Sequence, residues 1–391
     1  MEFGWSEDEQ SFRAEVRAFL KEHWDPKPLH DFGTDDHKAR EYVRAFKMTL
    51  AEHGWLTMAW PTEYGGQGAS FVRQMIFKEE SAIQKAPTSG GAEDILAPAL
   101  MIHGTDEQRR EYLTPIARGE VLWSQGYSEP GAGSDLASLQ TRAVRDGDEY
   151  VVNGQKVWNG SHRGDWIHTL VRTDPQAPKH RGISYVMINL RQPGVSIRPI
   201  WQMHDTGRFN EVFFEDVRIP VSARIGEENR GWYTAMTALD FERSGIHLII
   251  GVQGGFERFV EHVRSVGSDH AGGRLVDRGA VARAVADTHI ELEVARLLSY
   301  RITSMQARGL VPNYEASVAK TFGTELTQRQ ARRAINALGL PGTLREHSPH
   351  AVGEGSFCEA YMSSVSATIA GGTSEIQRGV IATRGLGLPR A

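Results

Sequence analysis

The sequence predicts a chain in three parts, helical, then β-rich, then helical again, and three observations predict it. Apolar residues recur at helical spacing through residues 1–118, short β-type runs separated by turns occupy 119–225, and long helical patterns fill 226–391. At 391 residues the chain is long enough for two or three domains with sizeable cores. A net charge of −5 argues against a nucleic-acid partner, which calls for a surplus of Lys and Arg. The lone cysteine, Cys358, cannot form an internal disulfide and points to a reducing compartment. No apolar run approaches the roughly 18 residues of a membrane span, and the acidic start MEFGWSEDEQ is unlike a signal peptide. A cytoplasmic location is therefore expected, with no membrane contact.

In chain order, Ser6-Glu7-Asp8-Glu9 reads as a capping box, followed by Phe12, Val16, Phe19 and Leu20 on one helical face. Further helices are expected over about Lys38–His53, Phe71–Gln84, Ala92–Met101 and Asp106–Ala117, with Trp60–Gly66 a breaker-rich loop. Val121–Tyr127, Thr141–Val144, Tyr150–Val152, Trp166–Thr173, Ile183–Leu190, Val195–Ile200 and Glu211–Val217 are candidate strands of an antiparallel sheet or barrel. Asp146-Gly147-Asp148 marks a turn, and Asn153-Gly154 carries a hairpin signal. Gly231–Val266, Val281–Ala307 and Ala316–Leu338 have the length of bundle helices, and Ser374–Thr383 forms a last short one.

Three segments carry candidate chemistry. Ser128-Glu129-Pro130-Gly131-Ala132-Gly133-Ser134-Asp135 offers glycine backbone and hydroxyls to a polar cofactor, although alone it reads equally as a tight polar turn. It lacks the third glycine and βαβ setting of a dinucleotide fingerprint and is not a nucleophile elbow. Asn153-Gly154-Gln155-Lys156-Val157-Trp158 delivers a tryptophan, and Gly371-Gly372-Thr373-Ser374-Glu375-Ile376-Gln377-Arg378 is a glycine turn into a helix whose N-terminus suits an anion. In combination and order these resemble the acyl-CoA dehydrogenase family of flavoenzymes, over nearly the whole chain. Gly226-Glu227-Glu228-Asn229-Arg230-Gly231-Trp232 and Asp240-Phe241-Glu242-Arg243 fit the same resemblance.

The resemblance implies the acyl-CoA dehydrogenase fold, with an N-terminal α-helical domain, a middle antiparallel β-barrel and a C-terminal four-helix bundle. It implies FAD, its ring between barrel and bundle, and α,β-dehydrogenation of an acyl-CoA thioester, with reoxidation by an electron-transferring flavoprotein. By correspondence, Gln125, Tyr127, Ser128, Gly133, Ser134 and Trp158 lie beside the flavin, and Thr373 and Glu375 touch the cofactor. Ser134, Asp240, Arg243 and Gly372 would meet the thioester or pantetheine.

Two departures shape the expectation. Most members carry a glutamate base directly before the C-terminal Gly-Thr, and here that position is Gly371, which cannot take a proton. The matching alternative is Glu242, paired with Arg243 on the first long bundle helix; a surface ion pair is the blander reading of those two. Burial would raise this carboxylate's pKa toward working pH and Arg243 would oppose the rise, while the Gly371 N–H remains able to polarise a thioester carbonyl. The second departure is the adenine half of the cofactor site. The stretch Ser268–Gly273 lacks the arginine and phenylalanine of the family's Arg-x-x-Phe-Gly loop, and the later Gln-x-x-Gly-Gly element reads Asn336-Ala337-Leu338-Gly339-Leu340. Arg274 or Arg278 is the available substitute.

This split resembles the heteromeric dehydrogenases of actinobacterial sterol-side-chain degradation, and implies an α2β2 tetramer in which a paralogous subunit completes the FAD site; a homotetramer is the alternative. Trp158-Asn159-Gly160-Ser161 also departs from the common Trp-Ile-Thr-Asn. Rival functions are an oxygen-activating oxidase or N-hydroxylase on the same fold, and a non-catalytic subunit. No metal site is expected: His347-Ser348-Pro349-His350 lacks a third ligand, Cys358 reads as a buried apolar residue, and Arg332-Arg333 as a solvated face.

Overall fold

The Ser6 hydroxyl accepts from the Glu9 amide at 3.2 Å, and the Glu9 carboxylate accepts from the Ser6 amide at 2.8 Å, so the capping box starts the Glu7–His23 helix. Phe12, Val16, Phe19 and Leu20 are its buried face. The computed structural model describes the chain apart from residues 1–3, 34, 89–90, 205–206, 240–244, 266–273 and 390–391. It divides into two compact units, residues 1–74 with 84–242, and residues 75–83 with 243–391.

The first unit carries the helices Glu7–His23, Asp36–Glu52 and Leu96–His103, and a helical segment from Asp106 that widens into a π turn at Arg109–Leu113. Its sheet consists of β1 (Trp123–Gly126), β2 (Arg142–Asp146), β3 (Glu149–Asn159), β4 (Trp166–Arg172), β5 (Ile183–Asn189), β6 (Val195–Ile200), β7 (Phe209–Pro220) and β8 (Arg224–Ile225). The spatial order is β6-β7-β3-β2-β4-β5-β8, with β1 beside β4. Pairing is mostly antiparallel, but β1 runs parallel to β4, and β2 meets β4 in parallel.

β4 and β5 are buried along nearly their whole length. Leu170, Tyr185 and Met187 join a core with Leu96, Leu100 and Ile116. Ile167, Val171, Val186 and Ile188 join a second core with Tyr150, Val152, Val212 and Phe214. Side chains alternate across a strand, so these two lists show that both faces of the sheet's centre are covered.

The Asn153-Gly154 hairpin reading is corrected. The chain reverses at Gly147-Asp148, between the paired Asp146 and Glu149, and Gly147 takes the positive φ of 62° that this turn needs. Asn153 and Gly154 lie inside the 11-residue β3, at a bulge where its register against β7 jumps from Val152–Val217 to Gly154–Phe214. Asn153 Nδ2 donates to Asp216 Oδ1 at 2.9 Å and the Asp216 amide returns a bond of 3.0 Å to Asn153 Oδ1. The glycine serves close approach, since a Cβ there would lie 2.7 Å from Thr141 Cα.

The expected Gly231–Val266 helix is present as Gly231–Leu239 in the first unit and Ile246–Ser265 in the second, with residues 240–244 between them lying outside the described set. The second unit continues with Gly279–Ala307, Tyr314–Leu338, Ser356–Ala367 and Ser374–Val380. Ile249, Val252, Phe256, Phe259, Leu292, Leu326 and Phe357 form its core. The Ser356–Ala367 helix has no counterpart in the sequence reading. It follows Gly355, whose φ is 78° and where a Cβ would lie 2.3 Å from the Glu346 amide. Cys358 is buried on it.

Candidate active site

In the first unit the parallel β1 sets the start of the glycine-bearing loop. A Cβ on Gly126 would lie 2.5 Å from the Ile167 side chain, and Thr169 donates to the Gly126 carbonyl, so β1 is drawn tightly onto β4. Tyr127 follows, buried, its hydroxyl donating to that of Tyr185 at 3.2 Å; the Tyr185 hydroxyl lies 2.6 Å from His168 Nδ1. Burial pushes the Tyr127 phenol up to about 12 and raises that of Tyr185 well above its ordinary value. The chain then folds back, the Glu129 and Ala132 backbones exchanging two bonds of 3.1 Å around Pro130-Gly131. Gly133 and Ser134 are left exposed at the turn.

Trp158 reaches the same region from β3. Its neighbour Val157 donates to the Ser128 carbonyl at 2.9 Å, tying strand to loop. Trp158 has φ of 62°, a left-handed conformation that costs a bulky residue on the order of 1–3 kcal/mol, and its side chain is 58% exposed. A strained backbone that turns an indole outward matches a surface awaiting a planar ligand. Gln125, Tyr127, Ser128, Gly133, Ser134 and Trp158 therefore share one region of the first unit.

In the second unit Gly371 and Gly372 both have positive φ, 64° and 88°. Lys320 Nζ donates to the Gly372 carbonyl at 2.6 Å and Gln377 Nε2 to the Gly371 carbonyl at 3.0 Å. Thr373 then caps the Ser374–Val380 helix, its hydroxyl accepting from the Ile376 amide at 3.2 Å. Glu375 stands exposed in the first turn, its carboxyl held below the usual range by its own backbone N–H and the Thr373 hydroxyl. Thr373, Ser374, Glu375, Arg332 and Arg378 line a groove of about 440 Å³. Asp240, Glu242 and Arg243, and the Ser268–Gly273 loop, lie outside the described residues.

One buried donor of the first unit tests whether a cofactor fits. Asn159 Nδ2, beside Trp158, has no hydrogen-bond partner among the described residues. Buried polar groups are nearly always satisfied, so an orphan donor beside the exposed indole suits a planar ligand rich in ring nitrogens and carbonyl oxygens. The residues fit a flavin. Sequence reasoning missed Lys156 and His168, both buried behind the loop. A charged residue at an inward position of a strand was the available signal for Lys156.

A helix–sheet–helix chain that offers a glycine-rich loop and a strained tryptophan with a buried orphan donor beside it has the make-up of a flavin-dependent oxidoreductase. Models of the N-terminal, middle and C-terminal domains of acyl-CoA dehydrogenase match residues 6–120, 124–217 and 229–386. The chain belongs to the acyl-CoA dehydrogenase family and is an FAD-dependent enzyme of that kind. FadE26, an acyl-CoA dehydrogenase of Mycobacterium tuberculosis, is 37% identical over 401 residues, spanning 100% of both chains. A chain of the ChsE4–ChsE5 complex from the same organism is 37% identical with a TM-score of 0.89 over the full length of each. The Tcur3481–Tcur3483 steroid acyl-CoA dehydrogenase is 34% identical, also with a TM-score of 0.89 and full coverage. Among the described residues no helix is long and apolar enough to cross a membrane, and no cluster of three or more His, Cys, Asp or Glu is placed to hold a metal.

Proposed function

We propose that this chain catalyses α,β-dehydrogenation of a bulky, steroid-type acyl-CoA thioester, with Glu242 as the base, in a tetramer where a paralogous subunit completes the FAD site. The observation that carries the reading is the turn at Gly371. The position at which most of the family holds its base has no side chain and a φ of 64°, so the proton acceptor must come from elsewhere, and Glu242 is the carboxylate that the family pattern offers. Names of relatives add support: one matching structure is a two-protein complex and another a two-protein steroid dehydrogenase.

Glu242 takes the Cα proton, which requires a carboxylate within hydrogen-bond reach and a pKa near working pH. Backbone N–H groups of the Gly371–Gly372 turn donate to the thioester carbonyl and stabilise the charge that develops there. Ser134, Asp240 and Arg243 hold the thioester and pantetheine, and Trp158 walls the ring and excludes water. When bound, FAD supplies the acceptor for the β-hydride, and an electron-transferring flavoprotein is the proposed partner that reoxidises it.

Glu242→Gln tests the assignment: it keeps bound flavin and abolishes turnover, and retained activity would remove Glu242 as the base. A chain that only completes a partner's site is the second reading, favoured by the same glycine. Under it, Glu242→Gln leaves the assembled enzyme's activity unchanged.

A further inference from the structure

The motif that delivers Trp158 also contains a charged side chain with no solvent exposure, Lys156. Its ammonium donates to the Tyr127 carbonyl at 3.1 Å and to Glu129 Oε1 at 2.8 Å. The Glu129 carboxylate also accepts from the amides of Gln140 at 2.6 Å and Thr141 at 2.9 Å. One cation thus joins the end of β1, the start of the loop, the segment to which the loop returns, and the part of β3 next to Trp158. Arg172 holds the far side, donating to the carbonyls of Ala137 at 2.7 Å and Lys179 at 3.2 Å. Glu129 attracts this second cation as well.

Stability alone is a poor account of such a pair. Desolvating each ion costs several kcal/mol, and well-packed apolar residues of similar volume do as well or better. A buried pair adds direction: an ammonium with two fixed acceptors holds loop and strand in one relation, as supporting shells do at other sites.

We propose that Lys156 is a positioning residue of the cofactor site, its ammonium fixing the Ser128–Asp135 loop against the strand segment that presents Trp158. The proposal rests on the reading of that loop and tryptophan as flavin contacts. Lys156→Met removes the charge and keeps the side chain's length, while Glu129 keeps its two amide donors. Lys156→Met/Glu129→Gln removes both charges and serves where the single variant fails to fold. In hydrogen exchange on the ligand-free full chain, faster exchange is expected at residues 128–141 and 156–161, with peptides from 246–265 and 314–338 unchanged. Flavin fluorescence titration of the stripped enzyme, assembled as isolated, is expected to show FAD binding weakened about tenfold, of the size that loss of one charge-assisted bond produces, with a shifted visible band.

Unchanged FAD affinity and spectrum would overturn the proposal, whether or not exchange rises, because a merely structural pair does just that. Trp158→Leu separates the two levels. An unaltered flavin spectrum in that variant would overturn the flavin reading of the loop and the proposal with it, whereas an altered one beside a silent Lys156→Met would overturn the positioning role alone.

Discussion

His168 shows how far a single residue's surroundings can move its chemistry. It is fully buried, with Nδ1 2.6 Å from the Tyr185 hydroxyl, and burial pushes its pKa from the ordinary value near 6.5 down to about 3. Above pH 6.5 both folded and unfolded chains carry it neutral and it contributes no slope. Between about 6.5 and 3 the unfolded chain takes up a proton that the folded chain refuses, so its contribution lowers stability as pH falls, by up to about 1.4 kcal/mol per pH unit. Urea denaturation at pH 5 and pH 7 is expected to show this fall, with a smaller difference in His168→Gln. Trp158 is the opposite case, a residue whose strain is exposed. Asparagine tolerates left-handed backbone better than tryptophan, so Trp158→Asn is expected to hold or raise the melting temperature, by the equivalent of up to about 1 kcal/mol, while turnover drops. A variant that lost both would show the indole to be a packing residue.

At the scale of elements, sequence and structure part company where pairing is non-local. The face Phe12-Val16-Phe19-Leu20 and the Ser6–Glu9 cap are readable because helix periodicity and capping are settled within a few residues. Asn153-Gly154 misleads because a local turn signal and a bulge use the same residues, and only the pairing of β3 with β7 decides between them. The Ser356–Ala367 helix escapes because its sequence, rich in Ser and Ala, buries Phe357, Cys358 and Ser364 without a sustained apolar stripe. In the candidate site, the glycine turns and Trp158 are readable as motifs, whereas the Lys156–Glu129 pair is not: residues 27 apart meet only through the sheet. The bulge makes its own prediction. Gly154→Ala places a methyl 2.7 Å from Thr141 Cα, so backbone must shift, and a loss of about 1–3 kcal/mol is expected by urea denaturation. A neutral result would return the glycine to the role of a simple turn residue.

On the scale of the whole molecule, the proposed cofactor contacts are unevenly preserved, and that asymmetry has a measurable consequence. On the proposed reading, the flavin-ring side keeps its loop, its tryptophan and the buried donor Asn159 Nδ2, which has no partner among the described residues. The adenine side, judged from the sequence of residues 268–273 and 336–340, lacks the side chains that a neighbouring subunit of this family would lend. On the proposed reading, a chain so built holds the ring but not the whole dinucleotide. Its second unit also exposes Ile290, Val294 and Leu297 along the Gly279–Ala307 helix, at a spacing that gathers them on one face, as surfaces that meet another subunit do. Purified alone, the chain is therefore expected to carry well under one FAD, and to approach full occupancy only when produced with a paralogous subunit that supplies the adenine loop. Flavin absorbance per chain, read beside native mass, measures both quantities in one preparation. Leu297→Glu should lower the assembled mass while leaving the helical circular dichroism intact. One FAD per chain in the isolated protein would instead mean that it completes its own site, that Arg274 or Arg278 supplies the missing contact, and that the enzyme is a homo-oligomer.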